Sequence, residues 1–143
     1  MVDPDRIEKL IHNGRSLVAY DDPDDGRIIG WPEMAYESIR AINHLTGHGD
    51  VIPAPTAYGI LGELKGVGHL LPQAFEQLAR GLQASLVELK VTEDDPSRDP
   101  RDSVAQAGAL LDQAAALARD LGAVLEAAQT AIAGQGYRTP DKN

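Results

Sequence analysis

The sequence predicts a mainly α protein: a helical bundle built on a long antiparallel helical hairpin, with a small N-terminal β-hairpin. Three observations lead to this prediction. Apolar residues recur in steps of three and four over residues 103–134, a similar rhythm runs over residues 57–91, and an acidic loop over residues 92–102 separates the two. Because helices of similar length joined by a short loop run antiparallel, we expect them to pack side by side within one domain, residues 1–143.

Residues 1–31 are predicted to form a short helix followed by a β-hairpin. Asp3 and Pro4 are typical of a helix start, and Gly14 is typical of a helix end. Two short runs rich in Val, Ile and Tyr then flank the turn-forming segment "DDPDDG", which is the pattern of a β-hairpin.

The same aspartate-rich segment is also a candidate for calcium binding. An EF-hand loop needs oxygen ligands at its first, third, fifth and twelfth positions. Counting from Asp21, the third position is Pro23 and the twelfth is Pro32, so the pattern is not met. We expect a solvated turn, and weak binding of a divalent ion stays an open alternative.

Residues 32–47 are predicted to form the next helix. Pro32 fits the first turn, apolar side chains recur at helical spacing, and Gly47 ends the helix. The following "HGDVIPAP" is expected to be extended, because a residue that precedes proline avoids the α conformation.

Residues 57–91 are predicted to form a kinked helix capped by Thr56. Pro72 predicts the kink, because a proline inside a helix clashes with the carbonyl four residues earlier, here that of Gly68. Glycines in a helix lower its stability unless packing compensates. We therefore expect a second helix to approach closely at the glycines of this segment, which are Gly59, Gly62, Gly66 and Gly68. Local flexibility of the segment is the alternative.

The last helix, residues 103–134, carries the strongest pattern in the chain. Ser103 and Gln106 predict a capping box at its start, and residues 135–143 are expected to form a loose tail. We expect Leu121 to be buried in a coiled-coil seam. The predicted seam is Val104, Ala107, Leu111, Ala114, Ala118, Leu121, Leu125, Ala128 and Ile132.

A second apolar stripe lies beside that seam and predicts an interaction face. It consists of Leu110, Leu117, Val124 and Ala131. One partner helix cannot cover both stripes, and an exposed apolar strip marks a contact site. We expect this face to bind a second copy of the chain, forming a homodimer, or to bind another protein. The alternative is that the N-terminal helix and the β-hairpin lie over the strip and the chain is a monomer.

Composition limits the possible partners. The chain has a formal net charge of -9, which disfavours direct binding to nucleic acid, and it has no cysteine, which excludes disulfides and thiolate metal sites. No apolar run is long enough to span a membrane. The N-terminal residues lack an apolar signal region, so we expect a cytoplasmic protein. Arg outnumbers Lys and Ala is abundant, which is typical of bacterial proteins from GC-rich genomes.

These patterns favour a non-enzymatic interaction, scaffold or regulatory protein without a cofactor, because no catalytic motif is present. One alternative is a metal-binding helical-bundle enzyme or sensor that uses His44 and His48, four residues apart, with His69 or His12 as a further ligand. Another alternative is an acidic regulator of a nucleic-acid enzyme.

Overall fold

The computed structural model describes residues 27–49 and 51–140, and these residues form three α-helices. They are α1 (Arg27–Thr46), α2 (Ala54–Glu88) and α3 (Pro100–Ala131). The chain divides into two units, Met1–Asp50 and Val51–Asn143. The mainly α class is confirmed. The short helix predicted near the N-terminus and the aspartate-rich turn lie outside the described residues.

Helix α1 begins five residues before the predicted start at Pro32. The segment Arg27–Trp31, predicted as the second strand of the β-hairpin, is therefore helical, and that prediction is wrong; the first strand lies outside the described residues. Short β-prone runs have only a weak preference unless another strand pairs with them. Pro32 lies inside the helix and removes one backbone hydrogen bond. The helix ends at Thr46, before Gly47, as predicted.

Helix α2 starts three residues earlier than predicted and ends at Glu88 rather than residue 91. Its N-cap is Pro53, with Pro55 in the first turn, so the prediction that Thr56 caps the helix is wrong. Proline suits a first turn because the backbone N–H that it lacks would have no partner inside the helix. The helix continues through Pro72, which is buried, as is Gly68.

Helix α3 is capped by Asp99, whose carboxylate accepts a hydrogen bond from the Arg101 backbone N–H at 2.9 Å. The predicted capping box at Ser103 is wrong, because Asp99 followed by proline already starts the helix three residues earlier. The Ser103 hydroxyl instead donates to the carboxylate of Glu93 in the preceding loop. This bond ties the loop, residues 89–99, to the first turn of α3.

Helices α2 and α3 pack against each other as the predicted hairpin. The buried positions of α3 in this hairpin are small or polar: Ala115, Ala118, Gly122 and Gln129. Of the predicted seam, Ala118 is buried, but Leu121 is 48% exposed and Ala128 is exposed. The prediction that Leu121 is buried is wrong, because the two backbones come too close to admit a leucine at the centre of the contact. None of the three described helices is long and apolar enough to cross a membrane.

Candidate functional site

Two ion pairs mark one flank of the hairpin. Arg119 of α3 pairs with Glu76 of α2, and the Lys65 Nζ atom lies 3.5 Å from Oε1 of Glu126. Arg119 and Glu126 are seven residues apart and therefore share one face of α3. Both pairs bridge the helices along the same edge of their contact, which we call the polar flank.

The opposite edge carries apolar side chains. Leu117 precedes Arg119 by two residues, and residues two apart on an α-helix point about 160° away from each other. The same offset relates Glu126 to Val124, Lys65 to Val67, and Glu76 to Leu78. We define the apolar flank by eight side chains on the edge away from the ion pairs: Val67, Leu71, Leu78, Leu82, Leu110, Leu117, Leu121 and Val124.

The α3 part of the apolar flank contains most of the interaction face predicted from the sequence. Leu110 is 57% exposed, Leu117 62% and Val124 65%, and Ala131 at the end of the helix is also exposed. Large apolar side chains in such a row are unusual on a monomer surface. The exposed row is the main feature of the described surface that demands a functional explanation.

The sequence analysis did not identify the α2 part of the apolar flank, and it placed Leu121 in the buried seam rather than on this flank. The signal was present as a second 4-3 repeat in each helix. On α2 this repeat, the α2 stripe, is Ile60, Leu64, Val67, Leu71, Ala74, Leu78, Gly81 and Ser85. On α3 the repeat, the α3 stripe, is Leu110, Ala114, Leu117, Leu121, Val124, Ala128 and Ala131.

Neither stripe contains a charged residue, although 24% of the chain is Asp, Glu, Lys or Arg. The charges of the hairpin lie elsewhere, with two opposite pairs on the polar flank. A charge-free apolar surface is the composition found at the centre of protein interfaces, where charged residues are depleted.

A buried polar contact joins the two helices near the start of α2. Gln129 is 7% exposed, and its Nε2 atom donates to the backbone carbonyl of Tyr58 at 3.0 Å. A Cβ atom on Gly62 would lie 2.8 Å from that same Nε2 atom, so the glycine provides the space for the amide. Loss of this bond would leave a buried amide without a partner, which is costly.

The polar flank contains an open groove near the loop end of the hairpin. Its titratable lining residues are Glu76, Arg80 and Asp112, and no histidine, serine, threonine or tyrosine lines it. Glu76 is already paired with Arg119. The titratable groups of the groove are therefore one carboxylate in an ion pair, one further carboxylate and one guanidinium.

The histidines considered as metal ligands lie in different places. His44 and His48 stack edge to face with ring centroids 5.0 Å apart, and both are exposed. His69 lies on the hairpin, against Gly122, and His12 is outside the described residues. Two imidazoles supply half of a typical zinc site, and no cluster of three or more metal-ligating side chains occurs in the part of the chain that is described.

The hairpin thus offers one extended uncharged apolar surface, opposite an ion-paired one.

Comparisons with protein-family models, with curated proteins and with solved structures found no match to this chain.

Proposed function

We propose that this protein is a non-enzymatic protein–protein interaction module whose apolar flank docks against helices of a partner, in a scaffold or regulatory role. The observation that carries the proposal is the row of leucine and valine side chains on the apolar flank of both helices, which are all exposed except the half-buried Leu71. Removing such a row from water favours a complex, and this gain must exceed the loss of translational, rotational and side-chain freedom on association.

The shape of the flank favours a helical partner. Two antiparallel helices that lie side by side present a shallow groove between them. The 4-3 spacing of their apolar residues is the spacing at which another helix packs. The hairpin itself is held by close backbone packing and by the Gln129 contact, so it presents a rigid surface. Rigid surfaces lose less conformational entropy on binding.

A pair of matched variants tests this proposal. The flank variant carries Leu117→Glu and Val124→Glu; the control carries Ala116→Glu and Ala123→Glu, one residue away on the polar side and at the same spacing. All four positions are exposed, so both variants should fold, with equal helix content by circular dichroism.

The readout is affinity capture from an extract of the native host, with wild type and both variants as bait. We expect specific partners to be retained by the control and lost by the flank variant. Retention of the same proteins by all three baits would contradict the proposal.

A further inference from the structure

We infer that the partner of the apolar flank is a second copy of this chain, so that two hairpins pack flank to flank as an antiparallel four-helix bundle. The inference rests on the proposed function, because it names the occupant of the same surface.

The first observation is that each helix of the hairpin has two adjacent seams. One seam of α3, with Ala115, Ala118 and Gly122 at its centre, faces α2. In the described part of the chain, every residue of the α3 stripe, which is offset around the helix, is exposed except the half-buried Ala114. A helix with one seam suits a two-helix contact, whereas every helix of a four-helix bundle contacts two neighbours. The hairpin therefore has the surface pattern of one half of such a bundle.

The second observation is a symmetry in the placement of the two stripes. The midpoint of the α2 stripe falls between Pro72 and Gln73, and that of the α3 stripe falls between Asp120 and Leu121. The contacts Gly68–Gly122 and Glu76–Arg119 place these midpoints at nearly the same level of the hairpin.

This common level makes the flank self-complementary. A two-fold axis through it, perpendicular to the helices, maps each stripe onto itself in the opposite direction. The α3 helices of two copies would then run antiparallel with Leu117 of one near Val124 of the other.

The absence of charge on the two stripes and the area that they would bury are both compatible with a second copy as the partner. Two copies with a formal charge of -9 repel wherever acidic residues meet, but neither stripe contains a charged residue. The α3 stripe spans about 32 Å, and two helices side by side are about 20 Å wide, which gives a footprint of about 600 Å² per copy. The total of about 1,200 Å² lies at the lower end of the range for specific interfaces.

Single-cysteine variants test the inference, because the chain has no cysteine of its own. Leu121→Cys lies next to the midpoint of the α3 stripe and hence beside the two-fold axis. Ala123→Cys is the control, two residues away and on the polar flank. The measurements are the mass in solution at micromolar concentration, disulfide formation between copies under mild oxidation, and the rate of alkylation by a maleimide.

We expect a mass of twice 15.3 kDa, efficient crosslinking of Leu121→Cys, and no crosslinking of Ala123→Cys. We also expect the alkylation of Leu121→Cys to slow as the protein concentration rises. Equal crosslinking of both variants would overturn the inference, because it would show that the contact is not at the flank.

A mass of 15.3 kDa overturns the inference in either of two ways. If Leu121→Cys is then alkylated as fast as Ala123→Cys, the flank is open, the second copy is not its occupant, and the proposed function stands. If Leu121→Cys is protected in the monomer, the same chain covers its own flank, and the proposed function fails as well.

Discussion

Gly68 and Gly122 lie in backbone contact at the centre of the hairpin. A Cβ atom built on Gly68 would be 2.9 Å from the Cα atom of Gly122 and 3.0 Å from its nitrogen. No side chain separates the two helices at this point. The close approach determines which residues fit between the helices and which must lie beside the contact.

Substitution of Gly68 by alanine is expected to destabilise the hairpin by about 1–3 kcal/mol, because the new methyl group meets backbone atoms that cannot move aside cheaply. Gly66→Ala is the matched control. A Cβ at Gly66 meets nothing within 4 Å, so the higher helix propensity of alanine should stabilise the protein by up to about 1 kcal/mol. Urea unfolding of both variants provides the comparison, and effects of the same sign would contradict the assigned contact.

Enlargement of Ala115 is expected to be costly, because this residue is only 1% exposed. Ala115→Leu should lower the free energy of unfolding by about 1–3 kcal/mol through overpacking. Ala116→Leu places the same side chain one residue away at an exposed position and should change stability by less than about 0.5 kcal/mol. Thermal and urea unfolding measure the difference, and similar losses in the two variants would mean that the buried face of α3 is misplaced.

Loss of the Gln129 amide is expected to weaken the end of the hairpin where α2 begins. Gln129→Ala removes the hydrogen bond to the Tyr58 carbonyl and leaves the space beside Gly62 empty, at a cost of about 1–2 kcal/mol. Gln113→Ala, at an exposed position of the same helix, should have little effect. Amide hydrogen exchange should show faster opening near Tyr58 in Gln129→Ala only; unchanged protection there would argue against a role for this contact.

Asp95 is expected to titrate below its ordinary pKa of 3.8, because the Ser97 backbone N–H and then the Ser97 hydroxyl donate hydrogen bonds to its carboxylate, at 2.9 and 2.7 Å. A carboxyl group with a lowered folded-state pKa favours the folded loop above pH 3.8, and this contribution is lost as the pH falls through the folded pKa. In Ser97→Ala the pKa should rise towards 3.8 without reaching it, since the backbone N–H still donates. Carboxyl-carbon NMR titration measures both values, and identical titration curves would contradict the contribution of the hydroxyl.

The revised position of Leu121 shows where sequence reasoning failed. If Leu121 were a central residue of the predicted seam, its truncation to alanine would lower the free energy of unfolding by about 2–5 kcal/mol. At 48% exposure in the hairpin, a loss nearer 1 kcal/mol is expected from the buried half of its side chain. The second strand predicted at Arg27–Trp31 failed for a related reason, because local β propensity is weak without a partner strand.

The sequence by itself determined the two long helices, the acidic loop between them, their antiparallel pairing and the exposed stripe with Leu110, Leu117 and Val124. Hydrophobic periodicity and proline position depend only on local spacing, so they can be read without coordinates. Which of two overlapping seams on α3 faces α2 was decided only by tertiary packing. Alanine and glycine contribute little to a hydrophobic pattern, so their burial is not predicted from the sequence. Only such small residues fit where Gly68 meets Gly122. The leucines therefore lie beside the contact, on the apolar flank.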